Sequence, residues 1–383
     1  MNRRHPYYIF VTSIYFIFIF LVWGCSGKVK NEIPGEETAY SLEFKNENDL
    51  SNRINHLTDS LLTSLTLEER VGQCMMPSIL SVSEQSNLIL LQKWIKDYHI
   101  GGIVLLKGNK KAVKTLKEEE TTSKIPLLIS IDAEWGLGMR LEDGSIYPQN
   151  GYLPLNLDES ELYDYGRAIA EECKELGINM VLGPVIDINA KKSGVIGRRA
   201  FSNNPFVVSE YGVAYAKGLE SGGIISVAKH FPGHGRALND SHRKIAVLNE
   251  GIAILDTMEL QPFRDYVNQN LSGIMAGHIR ALTLDPDGNP ASVSFDMLTS
   301  LLREEMGFRG LIMTDAFEMG GAEGFSATDA LKAGADIILC PSDVKKEYEE
   351  VIDNVASGNL SLEIINERCR RILFYKFLFG VIN

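Results

Sequence analysis

The chain has 383 residues, a hydrophobic content of 45% and a formal net charge of -12 at pH 7. This length and hydrophobicity suit one large folded core or two modest ones. The negative charge argues against nucleic acid as a partner, because the phosphates would be repelled. The five cysteines are scattered and odd in number, which argues against a disulfide framework and matches no zinc-site spacing.

The N-terminus carries the features of an export signal. Arg3 and Arg4 precede an uncharged apolar run over 7–22, which is too short for a comfortable membrane-spanning helix. The run ends in a segment similar to a bacterial lipobox, which predicts cleavage before Cys25 and lipid on its thiol, although Trp23 is bulkier than usual there. An uncleaved N-terminal anchor is the alternative. The predicted organisation is a lipoprotein signal peptide over 1–24, a polar tether over 25–55 and a single folded domain over 56–383.

Beyond the tether, short apolar runs alternate with longer amphipathic patterns typical of helices, such as 160–176, 205–221 and 295–306. This alternation predicts an α/β fold, and eight strands with crossovers favour a single (β/α)8 barrel of the TIM type. An open doubly wound sheet is the alternative, but no glycine-rich dinucleotide or phosphate motif supports it. The predicted strands are 73–79, 101–106, 126–132, 178–187, 223–230, 272–278, 310–315 and 335–340.

Polar side chains stand at the ends of several predicted strands. In a barrel of this type, active sites lie at the carboxyl ends of the strands. Taken singly, Asp187 could cap a helix and His278 could be a satisfied core histidine. Five polar ends among eight strands nevertheless predict a functional site at this edge. The ends in question carry Asp132, Asp187, Lys229 with His230, His278 and Asp315.

The densest group of titratable residues follows the fifth predicted strand. The segment KHFPGHG (229–235) is followed by DSH (240–242), and together they hold three of the seven histidines. His230, His234 and His242 with Asp240 could superficially form a zinc set. The H-x3-H spacing needs a helix, however, and the proline and glycine between the histidines exclude one. No metal is therefore predicted.

Four motifs resemble glycoside hydrolases of family 3, in particular the bacterial β-N-acetylglucosaminidase branch. They are KHFPGHG with the trailing DSH, IDAEWGLGMR (131–140), VIGRRAF (195–201) and MTDAFEM (313–319). The similarity runs from about residue 65 nearly to the C-terminus. It implies a (β/α)8 barrel, in agreement with the strand pattern, and a substrate containing N-acetylglucosamine, with no cofactor.

The resemblance implies roles for three residues in catalysis. Asp315 matches the family nucleophile, which would form a covalent glycosyl-enzyme that water hydrolyses with net retention. A low pKa, attributable to Lys229 and nearby arginines, would keep its carboxylate charged. His242 matches the general acid/base of this branch, and Asp240 matches the aspartate that orients it.

Five further matches concern binding of the sugar. Arg198 is the neighbour of Arg199, and a shift of one residue in the motif match would exchange the two. The sequence departs from the family pattern at Trp135, which either stacks on a sugar or fills space near the rim, and at 200–202. The matched binding residues are Asp132, Arg140, Arg199, Lys229 and His230.

These features predict a retaining β-N-acetylglucosaminidase held to a bacterial membrane by a lipid anchor, in the periplasm or at the outer membrane. Peptidoglycan fragments are the favoured substrate, and chitin oligomers or other glycans remain alternatives. A family 3 β-glycosidase or phosphorylase of other specificity is a further alternative, as is a sugar-binding lipoprotein without catalysis. The sequence does not indicate an oligomeric state.

Overall fold

Parallel strands form the centre of the folded part of the chain. A computed structural model describes residues 47–119, 123–190, 194–237, 239, 241 and 244–382. The predicted signal peptide, the predicted lipid site Cys25 and the tether up to residue 46 lie outside the described residues. Within the described ranges, no helix has both the length and the apolar character that a bilayer span requires.

Seven strands pair in the order β2-β3-β4-β5-β6-β8-β10, and every ladder between them is parallel. Each buried strand is short and rich in branched apolar residues, as in parallel sheets covered on both faces. The strands are β1 (Met75–Met76), β2 (Ser78–Ile79), β3 (Gly102–Leu105), β4 (Leu128–Ile131), β5 (Met180–Val181), β6 (Ile225–Phe231), β7 (Ala246–Leu248), β8 (Gly273–Ala276), β9 (Ile279–Ala281), β10 (Leu311–Thr314) and β11 (Ile338–Leu339).

The sheet curls so that its two edges approach each other. β1 and β2 are separated only by Pro77, and β1 pairs in parallel with β11 whereas β2 pairs with β3. Between β10 and β11 the described link is an isolated bridge, Met313 with Ile337. The result is an α/β domain with a curled parallel sheet whose closure into a barrel is partial. The α/β prediction is confirmed to that extent. Each predicted run overlaps at least one of these strands, and the first run contains both β1 and β2.

Helices cover the outer face of the sheet. Several begin at side-chain caps. Asp158 and Glu161 form a reciprocal capping box at the start of α5. At the start of α6, the Asn204 side chain accepts from the Phe206 N–H, and Pro205 occupies the first turn. The helices are α1 (Glu47–Ser64), α2 (Leu67–Gln73), α3 (Gln85–Tyr98), α4 (Lys110–Glu119), α5 (Glu159–Glu175), α6 (Pro205–Ser221), α7 (Ile252–Ile254), α8 (Gln261–Asn268), α9 (Ala327–Ala333), α10 (Val344–Ala356) and α11 (Leu362–Leu378).

Two segments differ from the sequence prediction. The run predicted as a helix over 295–306 is π-helical over Asp296–Glu305, and a second π-helical turn, Leu255–Glu259, follows α7. The predicted tether boundary at residue 56 falls inside α1, whose Asp59 forms an ion pair with Arg370 of α11 at 2.7 Å. Residues 47–55 therefore belong to a helix and not to a patternless tether.

The core fills the interior of the curled sheet and the layer between sheet and helices. Every residue of β3, β4, β8 and β10 is buried. Because all these strands are parallel, their carboxyl ends meet at one edge, where loops carry the polar residues. A short parallel ribbon, β7 with β9, lies beyond β6 and β8 and was not predicted from the sequence.

Candidate active site

A cavity of about 370 Å³ opens at the carboxyl ends of the strands. Its size falls in the range of roughly 300–1,000 Å³ that holds small-molecule ligands. Residues from β3, β4, β5, β6, β8, β10 and β11, or from the loops that follow them, line it. Six of the predicted site residues are brought together here: Asp132, Arg140, Arg199, Lys229, His230 and Asp315.

One wall of the cavity is a network of alternating charges centred on Lys229. The Lys229 ammonium donates to Asp132 Oδ1 at 2.7 Å and lies 2.9 Å from Glu134 Oε1. Arg140 donates to the second oxygen of Asp132. Arg199 grips Glu134 with two hydrogen bonds, Nε to Oε2 at 3.0 Å and Nη2 to Oε1 at 2.7 Å. Each carboxylate is thus held by two cations, which fixes the donors that face the cavity.

The pKa values reflect this pairing. Burial alone would raise the pKa of Glu134, but Lys229 and Arg199 outweigh it and lower the pKa of Glu134 to about 2. Burial would also raise the pKa of Asp132, but Lys229 and Arg140 outweigh burial and hold this pKa well below its usual range. Burial alone would lower the pKa of Lys229, but Asp132 and Glu134 outweigh burial and raise this pKa. All these groups are therefore charged at neutral pH.

Asp187 lies behind the cavity and holds the start of the histidine loop, which is defined here as residues 230–236. Its Oδ2 accepts from His230 Nδ1 at 2.6 Å, and its Oδ1 accepts from the His234 backbone N–H at 2.6 Å. With the His230 proton on Nδ1, Nε2 is the ring nitrogen left for a ligand in the cavity. Asp187 does not cap a helix. It orients His230, a role that its position at a predicted strand end did not distinguish.

Asp315 follows β10 and lies on the same cavity as the charge network. Its Oδ1 accepts from the Ala316 backbone N–H at 2.9 Å. Burial raises the pKa of the Asp315 carboxyl, but His230, His278 and that N–H outweigh it, so the pKa is below its usual value. Lys229, which the sequence predicts as a cause, also lowers this pKa, but it contributes less than the two histidines and the Ala316 N–H.

His278 is a satisfied core histidine next to Asp315. Its Nε2 lies 3.0 Å from the Ala316 carbonyl, which can only accept, so Nε2 carries the proton. Burial lowers the pKa of His278, and its neutral Nδ1 accepts from the Ser292 hydroxyl at 2.7 Å. The ring therefore fixes the backbone beside Asp315 and does not line the cavity.

The histidine loop is tightly packed. A side chain at Gly235 would lie 1.7 Å from the Ile188 carbonyl, and Gly233 has a φ of +125° that favours glycine. His234 Nε2 and Ser241 Oγ are hydrogen-bonded at 3.0 Å, so His234 supports the loop. The predicted acid/base pair, Asp240 and His242, lies outside the described residues.

The structure adds two acidic residues that the sequence prediction did not include. Glu134 is known from the sequence only as a letter of the IDAEWGLGMR motif. Its pairing with Arg199 joins residues 65 positions apart, and the local sequence pattern does not indicate such a contact. Glu318 also lines the cavity, and burial raises its pKa. Trp135 is partly buried and is not among the lining residues, whereas Arg198 lies over the Tyr152 ring, so Arg199 is the arginine that reaches the cavity.

Over the described part of the chain, no three histidine, cysteine, aspartate or glutamate side chains are grouped as metal ligands. The histidines that line or support the cavity are instead hydrogen-bonded to Asp187 and Ser241.

The family of the chain follows from comparison with known sequences and structures. Residues 66–374 match the N-terminal domain of glycosyl hydrolase family 3. The chain belongs to this family and is a glycoside hydrolase, so the predicted resemblance and the predicted enzyme class are confirmed.

Similar proteins carry related names. A beta-hexosaminidase of Nitrosomonas eutropha is 35% identical over 266 residues, 64% of this chain and 74% of the relative. A beta-hexosaminidase of Hydrogenovibrio crunogenus is 31% identical over 317 residues, 77% of this chain and 87% of the relative.

The fold is shared with a solved glycoside hydrolase family 3 beta-N-acetylglucosaminidase from a Paenibacillus species. The two structures superpose with a TM-score of 0.78 at 31% identity, over 83% of this chain and 63% of that one. This chain thus spans slightly less than two thirds of the Paenibacillus enzyme.

Proposed function

We propose that the protein is a retaining β-N-acetylglucosaminidase that removes terminal N-acetyl-β-D-glucosamine residues. The observation that carries the proposal is the cavity in which Asp315 lies together with the charge network around Lys229. The names of the relatives from Nitrosomonas and Hydrogenovibrio support the choice of hexosaminide over other glycosides. We further propose that the curled sheet acts as a (β/α)8 barrel despite its partial closure.

In the proposed mechanism, Asp315 attacks the anomeric carbon and the glycosidic bond to the leaving oxygen breaks. His242, oriented by Asp240, protonates that oxygen and later removes a proton from the water that hydrolyses the glycosyl-enzyme ester. The pKa of Asp315, below its usual value, supports a carboxylate ready to attack at neutral pH. The sequence match in the DSH segment supports His242 and Asp240.

The charge network would bind the hydroxyl groups of the sugar. Asp132, Arg140 and Lys229 are fixed by one another, so little reorganisation accompanies binding. Arg199 and His230 are held in the same way by Glu134 and Asp187. A neutral sugar that hydrogen-bonds to such groups is selected strongly, because an analogue that lacks a hydroxyl leaves a buried partner unpaired.

The test is a panel of aryl glycosides, with N-acetyl-β-glucosaminide, β-glucoside and β-xyloside compared at equal concentration. We expect preference for the N-acetylglucosaminide and a β-configured first product by NMR. Asp315→Ala should lose several orders of magnitude in rate with the fold intact, while the exposed Asp287→Ala serves as control. Retention of more than about a tenth of the activity by Asp315→Ala would exclude it as the nucleophile.

The same panel separates the alternatives. Preference for the glucoside or xyloside would indicate a β-glycosidase of other specificity, and binding without turnover would indicate a sugar-binding protein. Release of a sugar 1-phosphate in phosphate buffer would indicate phosphorolysis. Each of these results would overturn hydrolysis of N-acetylglucosaminides.

We also propose that the mature protein begins at Cys25, carries lipid there and acts on peptidoglycan fragments in the bacterial envelope. The charge-free run before Gly24 and Cys25 supports the anchor. Mass spectrometry of protein made in a bacterial host should show an acylated N-terminus. The Cys25→Ala variant should no longer be found in the membrane fraction after cell fractionation. An intact Met1, or cleavage elsewhere, would contradict the proposal.

A further inference from the structure

A buried glutamate lies directly behind the histidine loop and takes no part in the proposed reaction. Glu259 ends the π-helical turn that follows α7, and its side chain is 1% exposed. The Cα of Gly233 faces it: a Cβ added at Gly233 would lie 2.8 Å from both Cβ and Oε2 of Glu259. The Glu259 side chain therefore packs directly against the backbone of the histidine loop at Gly233.

The Glu259 carboxyl is poorly partnered for so deep a position. Among the described residues neither of its oxygens accepts a hydrogen bond. Arg236 Nε is 3.0 Å from Oε1, yet the two groups are not aligned as donor and acceptor, and Arg236 is 30% exposed. A buried carboxylate without hydrogen bonds is costly, whereas a buried carboxylic acid is much less so.

The surrounding charges favour the neutral form further. Asp187 and Glu250 are the acidic groups that act on Glu259, and Arg236 is the cation that opposes them. Burial and these two acids raise the pKa of Glu259 to about 8, although Arg236 acts in the opposite direction. The group thus changes charge just above neutral pH.

Asp187 connects Glu259 to the cavity. It is the acceptor for the His230 ring and for the His234 backbone N–H, at 2.6 Å in each case. A second negative charge close enough to act on Asp187 would repel the carboxylate that orients His230.

We propose that Glu259 is a positioning residue for the histidine loop, and that it works only as a protonated acid. In that form it packs against Gly233 and leaves Asp187 free to hold His230. Its ionisation sets an alkaline limit on activity. This inference rests on the proposed N-acetylglucosaminidase function, because the loop matters through the residues that bind and cleave the sugar.

The test is the pH profile of kcat/KM for Glu259→Gln, which keeps the shape but cannot ionise. The substrate is an aryl N-acetyl-β-glucosaminide with a strongly acidic phenol, because its departure needs no proton and a histidine acid would not impose its own alkaline limb. One ionisation centred near pH 8 predicts about a tenfold loss for the wild type between about pH 7 and pH 9. Glu259→Gln, normalised to its own maximum, should lose less than about twofold over the same range.

Glu347→Gln is the matched control. Glu347 is also a buried glutamate with a raised pKa, but it lies against α9 and accepts from the Ala327 N–H, so the wild-type limb should persist in this variant. If Glu259→Gln does not fold, Glu259→Met replaces it. Titration of wild-type protein carrying 13C-carboxyl glutamate gives an independent reading, in which one carboxyl should titrate near pH 8.

Three results would overturn the proposal: a wild-type profile flat to about pH 9.5, an unchanged limb in Glu259→Gln, or the absence of a glutamate titrating at alkaline pH. These differ from a failure of the proposed function. In that case the wild type would not cleave any N-acetylglucosaminide at any pH, whereas here it cleaves the substrate and only the dependence on Glu259 is missing.

Discussion

At the scale of single residues, the site depends on carboxylates whose partners are distant in sequence. Glu134 binds Arg199 and shares Lys229 with Asp132, and together they form one wall of the cavity. Glu134 lines the cavity but is only 1% exposed, and both of its oxygens are occupied by these cations. Its effect on the substrate must therefore act through the arginine and the lysine that it holds.

Glu134→Gln should weaken substrate binding without removing the chemistry. The amide keeps one acceptor but loses the charge, so Arg199 and Lys229 are no longer fixed. A loss of about 1–3 kcal/mol, or roughly fivefold to 150-fold in kcat/KM, should appear mainly in KM. Glu142→Gln, an exposed glutamate nearby, is the control. A change within twofold would show that Glu134 has only a structural role.

His242→Ala tests the proposed acid/base through the leaving group. A substrate with an activated phenol needs little protonation, so its first step should suffer least, and a disaccharide should suffer most. The glycosyl-enzyme should accumulate with the activated substrate, because water is no longer activated in the second step. Asp240→Asn should show a milder form of the same pattern. Equal losses on both substrates would mean that the acid/base lies elsewhere.

At the scale of elements, the histidine loop is shaped from both sides. Ile188 closes against Gly235, and Glu259 closes against Gly233, whose φ of +125° is rarely adopted by other residues. The conformation of the histidine loop therefore depends on Gly233 and Gly235, because Glu259 and Ile188 leave no room for a side chain at either position.

Gly233→Ala should damage both stability and activity. The new methyl group meets Glu259 at 2.8 Å and forces an unfavourable φ, which costs about 1–3 kcal/mol. Gly251→Ala is the matched control, because its φ is -71° and a Cβ there meets nothing within 4 Å. Thermal unfolding and kcat/KM measured on both variants check this. Equal behaviour of the two variants would contradict the packing argument.

The elements of the sheet were predictable because parallel strands buried on both faces give short continuous apolar runs. β5 is shorter than its predicted run because the regular ladder stops at Val181, although Val185 still forms an isolated parallel bridge with Lys229. The helical start at Glu47 was missed because its polar, charged residues resemble a tether. Spacing could place Asp132 and Lys229 near each other, but the burial of Glu259 and the pairing of Glu134 arise from tertiary contacts that no local pattern encodes.

At the scale of the whole molecule, buried acids should make stability depend on pH. The folded-state pKa of Glu259, about 8, is raised above its unfolded value, so the group's contribution is fully present below about pH 4.3 and is lost as pH rises through about 8. Compared with Glu259→Gln, the wild type should lose several degrees of Tm across this window. A constant difference in Tm across the window would show that Glu259 ionises as readily when folded as when unfolded.

The alternating charges around Lys229 also bear on how the enzyme tolerates salinity. Mobile ions screen charges over about 8–10 Å, whereas these pairs are in contact and shielded from water. An aryl N-acetyl-β-glucosaminide is neutral, so a protein of net charge -12 does not steer it. KM for such a substrate should therefore change less than about twofold between about 0.05 and 0.5 M NaCl. An enzyme with a site of this kind should therefore keep its affinity for substrate in dilute and in saline surroundings alike.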